Sequence, residues 1–279
     1  MNIRSRVSSL TSRVCGLKSV VCSLLSVVCG LWSVTFLSPV YAQTNEGVPA
    51  VTGAPPTEAV AKLPSVDELM GNLLARLPSK PISLSGELVT TPAEGEKTRL
   101  TLSIQFRYPR EATYTIGDAF GKPLEQMTVL RDNGRVSYLY LAGDPIKGAP
   151  APSLDKPIQN TALSWMDLTL GFLWWNGGRI IGQTENRGQP CYVLDRHAPG
   201  NGMDPYSSVR LLVDTRVSML LEATGYDKLA NPFRRLSVKS FKKINHDWMI
   251  KDLEIENLAT HAITLLRVRN AEPAGEPIP

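Results

Sequence analysis

Cys191, Val193, Asp195 and His197 alternate along the chain, so an extended backbone places a thiol, a carboxylate and an imidazole on one face. Those side chains are the parts of a nucleophile, a base and its orienting partner. The spacing excludes that use. Cys191 and His197 stand six positions apart, roughly 20 Å along a strand, whereas a nucleophile and its base need hydrogen-bond reach. Asp195 and His197 are near enough to pair, so the set is read as a buried cysteine beside an exposed ion pair. His246, in a turn, and His261, at a strand start, are isolated, and the chain holds no HExxH or CxxC, so no metal site is expected. G-x-S-x-G, Walker A and Rossmann glycine patterns are absent as well. The expectation is a protein without catalytic residues or cofactor. Arg234-Arg235 and Lys242-Lys243 read as a solvated face, with a rim for acidic partners or lipid headgroups as the alternative.

The chemistry that remains is burial. Residues 164–175 hold three of the five tryptophans and one charge, Asp167. A run this short cannot cross a bilayer, which needs roughly 20 apolar residues. Ser164 stands three residues before Asp167 as a capping-box variant, and Asn176-Gly177-Gly178 supplies a C-cap, which predicts a helix from Trp165 to about Trp175. Trp165, Leu168, Phe172 and Trp175 follow one side, the face expected toward a ligand; Met166, Leu170, Leu173 and Trp174 cover much of the rest. A helix apolar nearly all round is either a core helix or a lid over an apolar cavity.

Elements around this run must supply the cavity's walls. Ser65 and Glu68 form a capping box, and Val66, Leu69, Met70, Leu73, Leu74 and Leu77 make a helical apolar stripe ended by Pro78. Strands are predicted over 99–107, 111–117, 126–131, 136–142, 179–186, 191–197, 209–213, 217–226, 233–244, 248–257 and 260–268. Leu100, Leu102, Ile104 and Phe106 share one face of the first. Asp132-Asn133-Gly134 and Arg187-Gly188 read as hairpin turns. About eleven strands in one sheet must curl or close, and apolar helices lie most economically on the concave face. The candidate ligand-facing residues are therefore Leu69, Leu73, Leu102, Ile104, Phe106, Trp165, Leu168, Phe172, Trp174 and Trp175.

Residues 1–42 read as a secretory signal. Arg4, Arg6, Arg13 and Lys18 precede the uncharged apolar stretch 20–37, and Val40 and Ala42 set a cleavage point after Ala42. The formal charge of +4 comes from this segment; the four basic residues leave 26 Lys+Arg against 26 Asp+Glu in the remainder. A neutral chain without a basic stripe excludes a nucleic-acid partner. Three of the four cysteines lie in the signal, so the exported chain keeps only Cys191 and no internal disulfide. A Pro/Ala/Gly-rich linker follows over 43–64, one domain over 65–270 and a disordered tail over 271–279.

The helix over Val66–Leu77, the segment Tyr114–Gly121 leading into Leu124-Glu125, the Asp167–Trp175 helix, Arg187–Tyr192, Tyr206–Arg210 and Trp248–Lys251 resemble the LolA/LolB-like superfamily of periplasmic lipoprotein carriers. Within it, the chain is most similar to the proteins named outer-membrane lipoprotein-sorting proteins, over most of 65–269. The resemblance implies a mainly β fold: a strongly curved, unclosed antiparallel barrel of about eleven strands, with helices over its concave face. It implies a monomeric, non-enzymatic periplasmic carrier whose partners are acyl chains of lipoproteins or another lipid. The alternative is a periplasmic interaction or envelope-stress sensor module with a self-filled pocket and an envelope protein as partner.

Overall fold

The computed structural model describes residues 63–274 apart from 79, 108, 133–134, 201–205 and 245–246. The stretch read as a signal, nearly all of the stretch read as a linker, the end of the stretch read as a tail, and His246 lie outside the described residues. Among them are thirteen strands: β1 (Ile82–Thr91), β2 (Thr98–Arg107), β3 (Glu111–Gly117), β4 (Pro123–Asp132), β5 (Arg135–Ala142), β6 (Lys147–Ala149), β7 (Arg179–Asn186), β8 (Gln189–His197), β9 (Ser208–Asp214), β10 (Leu220–Tyr226), β11 (Pro232–Ile244), β12 (Asp247–Asn257) and β13 (Ile263–Pro273). They form one antiparallel sheet in the order β6-β5-β4-β3-β2-β1-β13-β12-β11-β10-β9-β8-β7.

Two strands beyond the eleven predicted are present. One is β1, whose Ser83, Ser85 and Gly86 weaken its alternation; Gly86 is needed there because a Cβ would fall 2.1 Å from the Arg267 carbonyl oxygen, at the register shift against β13. The other is β6, three residues that cover part of β5. The last strand also runs past the boundary expected at residue 270: Ala271 pairs with Leu84, Glu272 with Ser83 and Pro273 with Ile82. On the outer face an ionic row crosses the sheet. Glu87 accepts from Arg99 at 3.3 Å, and Arg267 reaches Glu87 at 3.9 Å and Asp252 at 3.0 Å.

The sheet is unclosed and strongly curved. Arg131 on β4 and Leu220 on β10 border the same cavity although seven strand spacings separate them, about 34 Å in a flat sheet. The two edge strands, β6 and β7, are consecutive in the chain, so the segment joining them must return across the full width of the sheet. It does so through the concave side. Residues 154–175 lie there with helix α1 (Val66–Leu74), and both join a single core with Leu88, Ile116, Leu211 and Ile255 of the sheet. This is why residues 164–175 are apolar all round: one side meets the sheet and the other meets the space the sheet encloses.

Helix α1 starts as predicted, with the Ser65 hydroxyl accepting from the Glu68 amide at 3.1 Å. It ends at Leu74; Arg76 and Leu77 then make i→i−3 bonds in a tighter turn. The second predicted helix breaks in two. Helix α2 covers only Trp165–Leu168, Leu170 adopts a left-handed conformation (φ 49°, ψ 39°), and Gly171–Trp174 forms a 3-10 turn. The Thr169 hydroxyl donates back to the Trp165 carbonyl at 2.8 Å, a contact that bends helices. A straight helix would leave the concave surface, whereas the broken one follows it. No helix among the described residues is long and apolar enough to cross a membrane.

Candidate ligand cavity

Three anchors hold the crossover across the sheet. At one arm Tyr140 of β5 packs edge-on against Trp165, with centroids 6.1 Å apart, and its hydroxyl donates to Glu125 at 2.5 Å; Gln159 donates to the same carboxylate. At the centre the Ala162 amide donates to the Thr264 hydroxyl at 2.9 Å. At the other arm Arg196 of β8 donates to the Leu173 carbonyl at 3.4 Å, and Phe172 packs edge-on against Tyr206.

The third anchor contains a buried polar network. Asp167 is 0% exposed. Its carboxylate closes a full capping box, accepting from the Ser164 amide at 3.0 Å and the Ser164 hydroxyl at 2.6 Å. It also accepts from Arg234 of β11 at 2.8 Å and from the Tyr206 hydroxyl. Arg234 is 4% exposed, and its Nε has no partner among the described residues. Burial first, then the Asp167 charge, holds the Tyr206 phenol well above its ordinary range. The network is sealed from solvent and from the cavity. It pins residues 164–167 to β11 and to the chain entering β9.

This placement corrects the reading of Arg234-Arg235 as a solvated pair. Arg235 faces outward, near Glu222 and Glu256, but Arg234 alternates with Leu236 and Val238 and points inward. That alternation, together with a lone carboxylate inside the apolar run, was the available signal.

Beneath the crossover lies a cavity of about 150 Å³. Leu73 of α1 and Leu77 of the turn after it form one wall. Leu84, Ile104, Phe106 and Tyr114 come from β1–β3, and Phe241, Met249, Leu253 and Leu266 from β11–β13. The crossover contributes Leu168, Leu170, Leu173 and Trp174. Of the ten residues expected around a ligand, Leu73, Ile104, Phe106, Leu168 and Trp174 border the cavity; Leu69, Leu102, Trp165, Phe172 and Trp175 are buried in the core beside it. The break at Leu170 turns Trp174 to the cavity and leaves Phe172 in the core.

Arg131 stacks over the Trp174 ring, 4.3 Å from its centroid. Burial pushes the Tyr114 phenol up to about 12, with Arg131 opposing. A phenol whose pKa is raised on folding stabilises the fold fully below the unfolded value near 10, and that contribution is lost as pH climbs to 12. Tyr114→Phe abolishes it. The stability gap between wild type and Tyr114→Phe, measured by denaturant titration, is therefore expected to shift by about 2–3 kcal/mol between pH 9 and pH 12.

The residues whose spacing suggested chemistry are not gathered. Cys191 is 0% exposed, donates to the Gln189 carbonyl at 3.2 Å, and burial pushes its thiol pKa up. Asp195 is held by both arms of Arg210, at 2.7 and 2.9 Å, and not by His197. The sequence placed these groups on one strand; the ion pair forms across to β9 instead. His261 lies 4.0 Å from Glu256 in the turn before β13. Among the described residues no three metal-ligating side chains come together.

None of the curated proteins matches the chain. Three crystal structures share its fold. A DUF1329 family protein from Desulfovibrio piger is 15% identical, with a TM-score of 0.64 over 74% of this chain and 90% of that one. A protein from Vibrio parahaemolyticus, described as an outer membrane lipoprotein-sorting protein domain, is 14% identical, with a TM-score of 0.63 over the same shares. A LolA superfamily protein from Nitrosomonas europaea is 12% identical, with a TM-score of 0.61 over 77% of this chain and 96% of that one. A family model described as "Uncharacterized protein" matches residues 130–276, just over half of the chain. The chain therefore belongs to that family of uncharacterized proteins and builds it on a LolA-like fold.

Proposed function

We propose that this protein is an exported, non-enzymatic carrier that buries an acyl chain, of a lipoprotein or another lipid, in the concave side of its sheet. The observation behind this reading is the almost wholly apolar cavity bordered by α1, the crossover and both arms of the sheet. Binding there needs no bond chemistry. Each methylene removed from water contributes roughly 0.8 kcal/mol, so a short length of chain already gives useful affinity. The fold shared with a lipoprotein-sorting domain and a LolA superfamily protein supports the same reading. A periplasmic location follows from the signal reading of residues 1–42.

One observation favours a second reading, an interaction or sensor module with a self-filled pocket. The crossover already occupies much of the concave side with its own side chains; Trp165 is 1% exposed and Phe172 0%. The two readings separate on one measurement. Protein purified from its native envelope is extracted with organic solvent and the extract examined by mass spectrometry, and the emptied protein is titrated with a fluorescent fatty acid. The carrier reading expects co-purified lipid and saturable one-to-one uptake. Empty protein that takes up no fatty acid overturns it in favour of the module. Cys191→Ser is expected to leave uptake unchanged.

A further inference from the structure

The two charged residues that border the cavity among the described residues are both arginines, Arg76 and Arg131; no carboxylate lines it. They lie toward one end of the sheet. Arg76 follows the last turn of α1, and Arg131 sits one residue from the end of β4. Phe106 near the end of β2, Leu220 at the start of β10 and Trp248 at the start of β12 border the cavity at this same end. Trp248 is 51% exposed. Directly across the β11–β12 pair, Lys243 stands opposite Trp248 and Lys242 opposite Met249, and both lysines are exposed. The Arg131 amide bonds to the Arg110 carbonyl, which brings a further cation into the neighbourhood. Nearby Glu111 is engaged by Arg107 at 3.3 Å. The cavity thus couples an apolar interior to a cationic mouth carrying a half-exposed tryptophan. Tryptophan is the side chain suited to a boundary between apolar and wet surroundings.

We propose that this mouth selects the headgroup: the cavity takes a single-chain amphiphile with an anionic head, a phosphate or carboxylate seated on Arg76 and Arg131 with Lys242 and Lys243 at the rim. This rests on the reading of the cavity as an apolar-ligand site and adds the chemical class of the ligand. A guanidinium offers two parallel donors to an oxyanion, and an anion drawn from water to a half-buried cation is screened less by salt than one on an open surface. A cationic head at the same place meets like charge, and a neutral head gains nothing from the arginines.

The test uses amphiphiles sharing one twelve-carbon tail, each below its micelle concentration, titrated by calorimetry into delipidated protein: dodecyl phosphate, dodecyl maltoside and dodecyltrimethylammonium, with inorganic phosphate as the headgroup alone. Dodecyl phosphate is expected to bind about tenfold tighter than the maltoside at low salt, with the gap closing as salt rises and the cation weakest. Arg131→Gln should remove most of the gap. Because Arg131 also packs on Trp174, the exposed Arg76→Gln and Lys242→Gln/Lys243→Gln provide the independent arm. Each should narrow the gap between phosphate and maltoside tails about threefold, and Arg76→Lys should retain most of the preference. Equal affinity for phosphate and maltoside tails overturns the headgroup inference and leaves the apolar cavity standing. Inorganic phosphate binding as tightly as its dodecyl ester also overturns it, because the site would then be a surface anion site. No binding of any tail overturns the cavity reading itself.

Discussion

Replacing Arg234 by alanine is expected to cost about 3–5 kcal/mol of stability, the largest effect of any single substitution away from the apolar core. The loss is not the worth of one ion pair. Asp167 is fully buried and accepts from Ser164, Tyr206 and Arg234. Removing the guanidinium leaves the carboxylate with neutral donors and no countercharge in a low-dielectric interior. The cation can be dispensed with only if the anion goes too. The double variant Asp167→Asn/Arg234→Met keeps an acceptor for the Ser164 amide and apolar volume, and should be closer to wild type than the sum of the single variants by about 2 kcal/mol or more. Denaturant midpoints for the four corners of this cycle measure the coupling. An Arg234→Ala variant within about 1 kcal/mol of wild type would sink the assignment of this network as the pin that holds the crossover to β11.

The second large effect separates two aromatic residues only two positions apart. Phe172 is 0% exposed, packs on Tyr206 and lies in the core. Trp174 borders the cavity under Arg131. Phe172→Ala is expected to cost about 3–5 kcal/mol in unfolding experiments, with fatty-acid affinity per folded molecule unchanged. Trp174→Ala should cost less stability, since the ring is only partly buried, and should weaken uptake about tenfold because the ligand loses a large apolar wall. Stability and uptake are read on the same preparations. If Trp174→Ala destabilises as much as Phe172→Ala and leaves uptake intact, the crossover is a core plug and the cavity is not a ligand site.

These two residues also show how far the sequence could be read. The apolar run at 164–175 was visible from composition, and its start was visible from Ser164 and Asp167. Its break at Leu170 was not. A helical wheel drawn through the whole run groups Trp165, Leu168, Phe172 and Trp175, but the left-handed residue turns the chain and delivers Trp174 to the cavity. Alternation located most strands, because a half-buried strand must alternate whatever its neighbours are. It missed β1, whose glycine and serines answer to the close approach of β13, a contact between residues nearly two hundred positions apart in the chain. The buried Arg234 was legible in principle, since it alternates with Leu236 and Val238, but a pair of adjacent basic residues is more often solvated. Only the position of Asp167 on the facing crossover reverses that expectation.

By itself the sequence determined the mainly β character, the curl forced on so many strands in one sheet, the entry helix and the presence of a deeply buried aromatic segment. Each of these depends on local periodicity or on a count of apolar residues. The tertiary structure decided that the buried segment is the crossover between the two edge strands. It decided that Asp167 meets Arg234 and Tyr206, and that two arginines face an otherwise apolar cavity. Those features depend on the order of strands in the sheet and on its curvature. Curvature brings together residues that are distant in the chain, and no local pattern records which of them will meet.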